Sequence, residues 1–268
     1  MRRSRFAAYV GSLLLAAVTA LTGATTAQAS QLAAPGGYVA LGDSYSSGVG
    51  AGGYLSASGD CKRSTKAYPY LWAAAHSPSS FDFIACSGAR TGDVLASQLT
   101  PLSVTTGLVS ISVGGNDAGF ADVMTTCVLQ SDSACLSRIN TAKAYVDSTL
   151  PGKLDGVYSA IRSKAPNARV VVLGYPRFYK LGTACLGLSE TKRKAINDAA
   201  DYLDTAIAKR AANFGYVFGD VRTTFTGHEL CSGSSWLHSL NLLNIGESYH
   251  PTAAGQSGGY LPVLNGLA

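Results

Sequence analysis

Short apolar, β-branched runs alternate along this chain with longer segments that have a helical pattern. Such alternation is typical of a parallel sheet covered by helices. The runs that predict strands are residues 38–41, 81–85, 108–113, 169–173 and 216–218. We therefore predict an α/β fold, a single-domain three-layer α/β/α sandwich around a parallel five-stranded sheet.

The helical patterns lie between these runs and after the last one. They cover residues 67–75, 135–164 with a break at Pro151-Gly152, 189–213 with Gly215 as the terminator, and 251–264, weakened by Gly258-Gly259. Residues 223–249 show no convincing period, and they predict an ordered loop. Neither an internal repeat nor a linker to a second domain is evident.

The N-terminus has the pattern of a secretory signal peptide. Arg2, Arg3 and Arg5 precede an apolar run at residues 6–21, and Ala27-Gln28-Ala29 offers a cleavage site. The apolar run is shorter than the ~20 residues that span a bilayer, so a transmembrane anchor is not expected. We predict a signal peptide at residues 1–29, with cleavage as late as residue 34, and a secreted, extracellular catalytic domain at 35–268.

Composition and charge narrow the possible partners. Hydrophobic residues make up 47% of the chain and charged residues 14%, which excludes a disordered polyelectrolyte. The net charge is +5, but three of the 21 basic residues are the leader arginines. The rest of the chain is nearly balanced, so no nucleic-acid partner is expected.

All six cysteines lie beyond the leader, and an even number in an exported chain indicates disulfides. Six cysteines allow 15 pairings, so the sequence alone does not determine them. We expect sequential pairing, in which no bridge crosses another: Cys61 with Cys86, Cys127 with Cys135, and Cys185 with Cys231. The chain has no Cys-x-x-Cys pair, so a zinc site is not expected.

Polar residues follow the first three predicted strands at their carboxyl ends, where open α/β sheets bind ligands. Ser44, Gly88 and Asn116 are the candidates at these positions. A serine hydroxyl becomes a good nucleophile when a histidine takes its proton. Of the four histidines, His250 is favoured because it precedes Pro251 at a predicted helix start.

Other motifs indicate no cofactor. Residues 48–53 match G-x-G-x-x-G but begin several residues past the strand, so they predict a flexible loop that borders the site. His228-Glu229 lacks the second histidine of the zinc-protease motif. We expect neither a cofactor nor a metal.

Four blocks together carry a family resemblance. Gly42-Asp43-Ser44 after a strand, Gly88, the run 114–117 that contains Asn116, and the late His250-Pro251 resemble the SGNH/GDSL esterase and lipase family, whose fold is flavodoxin-like. With the leader and cysteines, the chain is most similar to the secreted Streptomyces-type lipases and phospholipases of that family.

The resemblance implies a role for each block. Ser44 would be the nucleophile and His250 the base, while the main-chain N–H groups of Ser44 and Gly88 and the side-chain amide of Asn116 would form the oxyanion hole. Asp43 is expected to shape the turn that holds Ser44.

The third catalytic member is left open by the sequence. The family usually has an aspartate three residues before the histidine, and here that position is Glu247. Either the Glu247 side chain or the main-chain carbonyl of Ser248 could orient His250, and we favour the carbonyl slightly.

The resemblance implies a serine esterase or lipase acting on fatty-acyl esters, with long chains preferred. Residues 236–245 form an unusually apolar loop near His250, which suits a lipid or a lipid–water interface, although these side chains could equally pack under the loop. Tyr45 and Tyr54 could line the acyl site. Phospholipase A1 and carbohydrate acetylesterase are alternatives on the same scaffold, and an extracellular binding protein is the non-enzyme alternative. We expect a monomer with a lipid or ester substrate.

Overall fold

The structure is a computed structural model, and it describes residues 36–268. The predicted signal peptide lies outside the described residues.

Five parallel strands form one sheet in the order β2-β1-β3-β4-β5. The strands are β1 (Gly37–Gly42), β2 (Phe81–Phe83), β3 (Thr106–Ser112), β4 (Arg169–Leu173) and β5 (Val217–Gly219). Every residue of β1 is buried. Parallel strands that are covered on both faces read as continuous apolar runs, which is why the sequence indicated them. The predicted five-stranded parallel sheet is confirmed.

The strand order places a topological switch point between β1 and β3. From β1 the chain moves outward to β2, then crosses back over β1 to form β3, and continues in the opposite direction. Ligands bind in the crevice outside the carboxyl ends of the strands at such a point. Ser44 follows β1 and Asn116 follows β3, so both lie at this crevice.

Helices cover the sheet in two groups. They are α1 (Ser44–Ser47), α2 (Tyr68–His76), α3 (Thr91–Asp93), α4 (Phe120–Leu129), α5 (Asp132–Ser148), α6 (Leu150–Lys164), α7 (Glu190–Asn213) and α8 (Leu261–Leu267). Helices α4 to α7 contact one another, while α2 and α8 contact each other. The α/β fold expected from the sequence is confirmed.

Several helix boundaries differ from the prediction. The break between α5 and α6 lies at Thr149, not at Pro151-Gly152, because a proline in the first turn of a helix lacks only an N–H that would be unpaired there anyway. Helix α4 was not predicted at all. The C-terminal helix begins as a π-helical turn, Gly255–Tyr260, and continues as α8.

The glycine pair in that π-helical turn has a packing role. A Cβ at Gly259 would lie 2.1 Å from the Phe225 ring, and one at Gly258 would lie 2.6 Å from the Trp236 ring. The two rings therefore pack directly against the helix backbone.

Three disulfides are present, and their pairing is the sequential one: Cys61–Cys86, Cys127–Cys135 and Cys185–Cys231. Cys61–Cys86 lies two residues before Gly88, which lines the cavity at the crevice. It joins the short 3-10 helix Ser56–Cys61 to the loop after β2, and the Ser87 N–H also donates to the Cys61 carbonyl at 3.1 Å. This bridge fixes the loop that carries Gly88.

Candidate active site

Ser44 begins α1 immediately after β1. Asp43 caps this helix, because its Oδ1 accepts a hydrogen bond from the Tyr45 N–H at 3.0 Å. This is the local turn-shaping role that the sequence suggested for Asp43. Ser44 itself is 6% exposed and lines a cavity at the sheet edge.

His250 lies directly against Ser44. Its Nε2 is 2.7 Å from the Ser44 Oγ. The His250 carbonyl accepts from the His238 N–H at 2.9 Å, and the Tyr249 N–H donates to the His238 carbonyl at 2.8 Å. His238 also contacts the Gly50 carbonyl through Nε2 at 2.8 Å. The segment around His238 thus holds the main chain of His250 beside the loop that contains Gly50.

The other ring nitrogen of His250 faces a main-chain carbonyl. Nδ1 is 3.1 Å from the Ser248 carbonyl oxygen. The Glu247 carboxylate is engaged elsewhere, since its Oε1 accepts from the Tyr54 hydroxyl at 2.7 Å. A proton on Nδ1, donated to Ser248, leaves the lone pair of Nε2 to accept from Ser44.

Burial keeps the imidazole neutral. It lowers the pKa of His250 to about 4, against the opposing effect of the Ser248 carbonyl, and nearby His238 lowers it further. At neutral pH the ring is therefore unprotonated and able to act as a base.

The three expected oxyanion donors line one cavity with Ser44 and His250. Gly88 has φ +77°, a conformation that favours glycine, and the space where its Cβ would lie is open. The Asn116 amide donates one proton to the Ala89 carbonyl at 3.0 Å. Its second amide proton remains to serve a ligand.

The loops that carry these donors are tied together by side-chain hydrogen bonds that the sequence did not predict. Asp117 accepts from the Thr91 N–H at 2.9 Å and from the Thr91 hydroxyl at 2.6 Å, which joins the loops after β2 and β3. The Tyr175 hydroxyl donates to Asp43. Thr91 and Tyr175 belong to no motif, so only the fold reveals these contacts.

The cavity beside Ser44 has a volume of about 600 Å³. It extends between α4, α5 and α7, and apolar side chains dominate its lining. They include Phe120, Val123, Met124, Val128, Ala142, Val146, Ile196, Ala199 and Leu203. Ligand pockets typically have 300–1,000 Å³ and an apolar lining with a few convergent polar groups, which matches this cavity.

The apolar loop before His250 divides into two parts. Leu237 is buried, and Trp236 packs on Phe225. Leu242 and Ile245, in contrast, are 82% and 62% exposed and line the mouth of the cavity. Both readings of this loop therefore hold, each for a different part.

The remaining candidates take no part in the Ser44–His250 hydrogen bond. Tyr45 lines the cavity, whereas Tyr54 binds Glu247 and is not among its lining residues. The glycine loop after α1 borders the site, and residues 48–51 are buried. His228 stacks on Trp236 instead of facing the site.

Within residues 36–268, no group of three or more metal-ligating side chains is clustered closely enough to hold an ion. No helix in the same part of the chain is both long and apolar enough to cross a membrane.

Comparisons with known proteins identify the family of the chain. Residues 40–257 match the GDSL-like Lipase/Acylhydrolase family. The chain is 80% identical to Lipase 1 of Streptomyces coelicolor over 268 residues, the whole of both chains.

Two solved structures are similar over most of the chain. Phospholipase A1 from Streptomyces albidoflavus is 69% identical, with a TM-score of 0.86 over 88% of this chain and 100% of that one. The extracellular lipase from Streptomyces rimosus is 68% identical, with a TM-score of 0.85 over 87% of this chain and 100% of that one. The chain therefore belongs to the GDSL-like lipase/acylhydrolase family and is a carboxylic ester hydrolase.

Proposed function

We propose that the protein is a secreted serine esterase that hydrolyses fatty-acyl esters and prefers long acyl chains. The observation that carries this proposal is the 2.7 Å contact between Ser44 Oγ and His250 Nε2 at the wall of an apolar cavity of about 600 Å³. The similar lipase from Streptomyces rimosus is described as extracellular, which supports secretion of this protein.

Acylation begins when Ser44 Oγ attacks the carbonyl carbon of the ester while His250 Nε2 takes its proton. Negative charge then develops on the carbonyl oxygen. The N–H groups of Ser44 and Gly88 and the Asn116 amide stabilise this charge, each donor contributing roughly 2.7–4 kcal/mol. As the tetrahedral intermediate collapses, the protonated His250 delivers its proton to the leaving alcohol.

Deacylation repeats these steps with water. His250 takes a proton from water, whose oxygen attacks the acyl-Ser44 carbonyl, and Ser44 leaves with the proton returned by His250. The Ser248 carbonyl accepts a hydrogen bond from the Nδ1–H of His250 in both steps. It orients the ring and stabilises the imidazolium less strongly than a full negative charge would.

The cavity supports a fatty-acyl substrate over an acetyl ester. An acetyl group would leave most of an apolar space of about 600 Å³ unfilled, whereas burying each further methylene contributes about 0.8 kcal/mol. The exposed Leu242 and Ile245 at its mouth, with Leu243 beside them at 99% exposed, form an apolar rim that suits a lipid–water interface.

Phospholipase A1 activity is a second candidate, supported by the similar structure from Streptomyces albidoflavus that bears this name. Fatty-acid release from phosphatidylcholine and from triacylglycerol with the same acyl chains distinguishes the two substrates. Release of the sn-1 chain from phosphatidylcholine at a higher rate than fatty-acid release from triacylglycerol would favour the phospholipase.

A p-nitrophenyl alkylphosphonate tests the proposed nucleophile. Ser44 Oγ should attack phosphorus and expel nitrophenolate, leaving one phosphonyl group on the Ser44 peptide, which mass spectrometry detects. Ser44→Ala should take up no label, and His250→Ala should react far more slowly. Labelling of another residue in the wild-type protein would contradict the assignment, and a Ser44→Ala protein that keeps its biological effects would favour the binding-protein alternative.

A further inference from the structure

Tyr175 lies just after β4, buried beneath the reacting groups. Its hydroxyl donates to Asp43 Oδ2 at 2.5 Å and accepts from the Gly115 N–H at 3.2 Å. Asp43 precedes the nucleophile, and Gly115 precedes Asn116. One phenol hydroxyl therefore joins the turn that carries Ser44 to the loop that carries Asn116.

Further hydrogen bonds hold both the Asp43 carboxylate and the main chain of Tyr175. Asp43 Oδ1 accepts from the Tyr45 N–H at 3.0 Å and from the Ser112 hydroxyl at 2.7 Å. The main-chain N–H of Tyr175 donates to Asp204 Oδ1 at 2.9 Å, which holds the Tyr175 backbone on α7. The hydroxyl is thus presented from a rigid position.

We propose that Tyr175 is a positioning residue, which sets the location of the Asn116 amide relative to the Ser44 N–H and so aligns the oxyanion donors. The proposal rests on the function proposed above. It adds that the two loops do not keep this alignment unless the hydroxyl bridges them.

A main-chain N–H and a carboxylate oxygen both depend on this hydroxyl. Without it, the buried Gly115 N–H and Asp43 Oδ2 would lose their partner, and unpaired buried polar groups are costly enough to shift a loop. Gly115 itself lies against the phenol, since a Cβ there would be 3.2 Å from Tyr175 Cζ. A displacement of about 1 Å in a catalytic group can reduce the rate ~10²-fold.

The connection has a pH signature. Burial raises the pKa of Asp43 to about 6, while the hydrogen bonds from Tyr175 and Ser112 lower it. The titratable groups around Asp43 are four tyrosines, Tyr45 on α1, Tyr68 on α2, Tyr175 after β4 and Tyr260 in the π-helical turn, with Asp204 on α7 beyond them. The ionised carboxylate of Asp43 accepts from the Tyr45 N–H and the Tyr175 hydroxyl, so its protonation, at a pH above the pKa of His250, should weaken both bonds and lower kcat. Loss of the hydrogen bond from Tyr175 or from Ser112 raises the pKa of Asp43 further, and the acid limb of kcat then moves to higher pH.

The test compares three variants with Ser44→Ala, using kcat, KM and the pH profile for a p-nitrophenyl ester. Tyr175→Phe keeps the ring and removes the hydroxyl. Tyr216→Phe is the matched control, because it removes another buried hydroxyl, bonded to the Tyr158 carbonyl at 2.9 Å away from the oxyanion loops. Ser112→Ala removes a donor to Asp43 but keeps the bridge to Gly115.

Tyr175→Phe should lower kcat roughly tenfold or more. This loss exceeds that of one ordinary hydrogen bond but is smaller than that of a missing oxyanion donor. KM should stay within about threefold of wild type. Its acid limb should shift upward. Ser112→Ala should show the upward shift while its kcat plateau stays within a few-fold of wild type. Tyr216→Phe should change neither quantity.

A Tyr175→Phe enzyme with a wild-type kcat or an unshifted acid limb would overturn the inference, as would an equal loss in Tyr216→Phe. If Tyr175→Phe does not fold, Ser112→Ala carries the test, and an unshifted limb in that variant overturns it. Full activity in Ser44→Ala would instead show that the proposed function itself is wrong.

Discussion

Replacement of Glu247 by glutamine tests which group orients His250. The carboxylate of Glu247 accepts a hydrogen bond from the Tyr54 hydroxyl at 2.7 Å, while the Nδ1 of His250 lies 3.1 Å from the Ser248 carbonyl. Glutamine keeps an oxygen acceptor for Tyr54 and removes only the negative charge. The substitution therefore separates the charge of residue 247 from its packing.

The two possible roles of Glu247 differ greatly in magnitude. Where a carboxylate orients the histidine of a serine triad, its conversion to the amide costs about 10⁴-fold in kcat, or roughly 5.5 kcal/mol. A carboxylate that only bonds an exposed tyrosine contributes about 0.5–1.5 kcal/mol to stability and nothing to the chemical step. We expect Glu247→Gln to keep kcat within about threefold of wild type.

The assay is kcat and KM for a soluble p-nitrophenyl ester, together with the thermal unfolding temperature. Tyr54→Phe is the matched control, because it removes the hydrogen bond to residue 247 and leaves the carboxylate charge in place, and both variants should have small effects on kcat. A loss of kcat of a hundredfold or more in Glu247→Gln, with an unchanged unfolding temperature, would refute the assignment of the Ser248 carbonyl.

Four further predictions follow from the site and its supports. Asn116→Ala should lower kcat by roughly 10²–10³ with little change in KM; a change in KM alone would make Asn116 a substrate-binding residue. Ala199→Phe narrows the cavity, so kcat/KM for palmitate esters should fall at least ~10-fold relative to acetate esters; an unchanged ratio would place the acyl chain elsewhere. Replacing Cys61 and Cys86 by serine opens a loop with a sequence separation of 25 and should reduce the free energy of unfolding by about 3 kcal/mol; an unchanged urea midpoint would contradict this. The pKa of His250 is about 4 in the folded protein and near 6.5 in the unfolded chain, so between these pH values the unfolded chain binds the extra proton. As the pH falls from 7 to 4, the free energy of unfolding of wild type should therefore decrease by about 3 kcal/mol more than that of His250→Ala. Equal decreases in urea titrations of the two proteins would disprove this.

The sequence predicted those parts of the molecule whose signal is local. The strands of a parallel sheet are apolar on both faces, so each forms a continuous run such as that of β4. Ser44 and His250 stand in motifs directly after a strand and before a proline. Strand order places Ser44 at the crevice, whereas His250 follows no strand and is held beside Ser44 by a loop in which its carbonyl accepts from the His238 N–H.

The parts that the sequence missed depend on tertiary contacts. Helix α4 contains Val123, Thr125, Thr126 and Val128, β-branched residues with modest helix propensity, and it is held by packing against α5. Tyr175 belongs to no motif, and its importance is visible only when the loop after β4 meets those after β1 and β3. The sequence left Glu247 and the Ser248 carbonyl as alternatives, because only the fold places the Glu247 carboxylate against the Tyr54 hydroxyl and His250 Nδ1 against the Ser248 carbonyl.

The most direct test of the account is a set of initial hydrolysis rates for p-nitrophenyl esters from acetate to palmitate, measured for wild type beside Ser44→Ala. The structure predicts rates that depend on Ser44 and kcat/KM values that rise toward long chains, since the cavity of about 600 Å³ is lined by apolar side chains. A preference for acetate would contradict the fatty-acyl assignment, and hydrolysis that survives in Ser44→Ala would contradict the catalytic one.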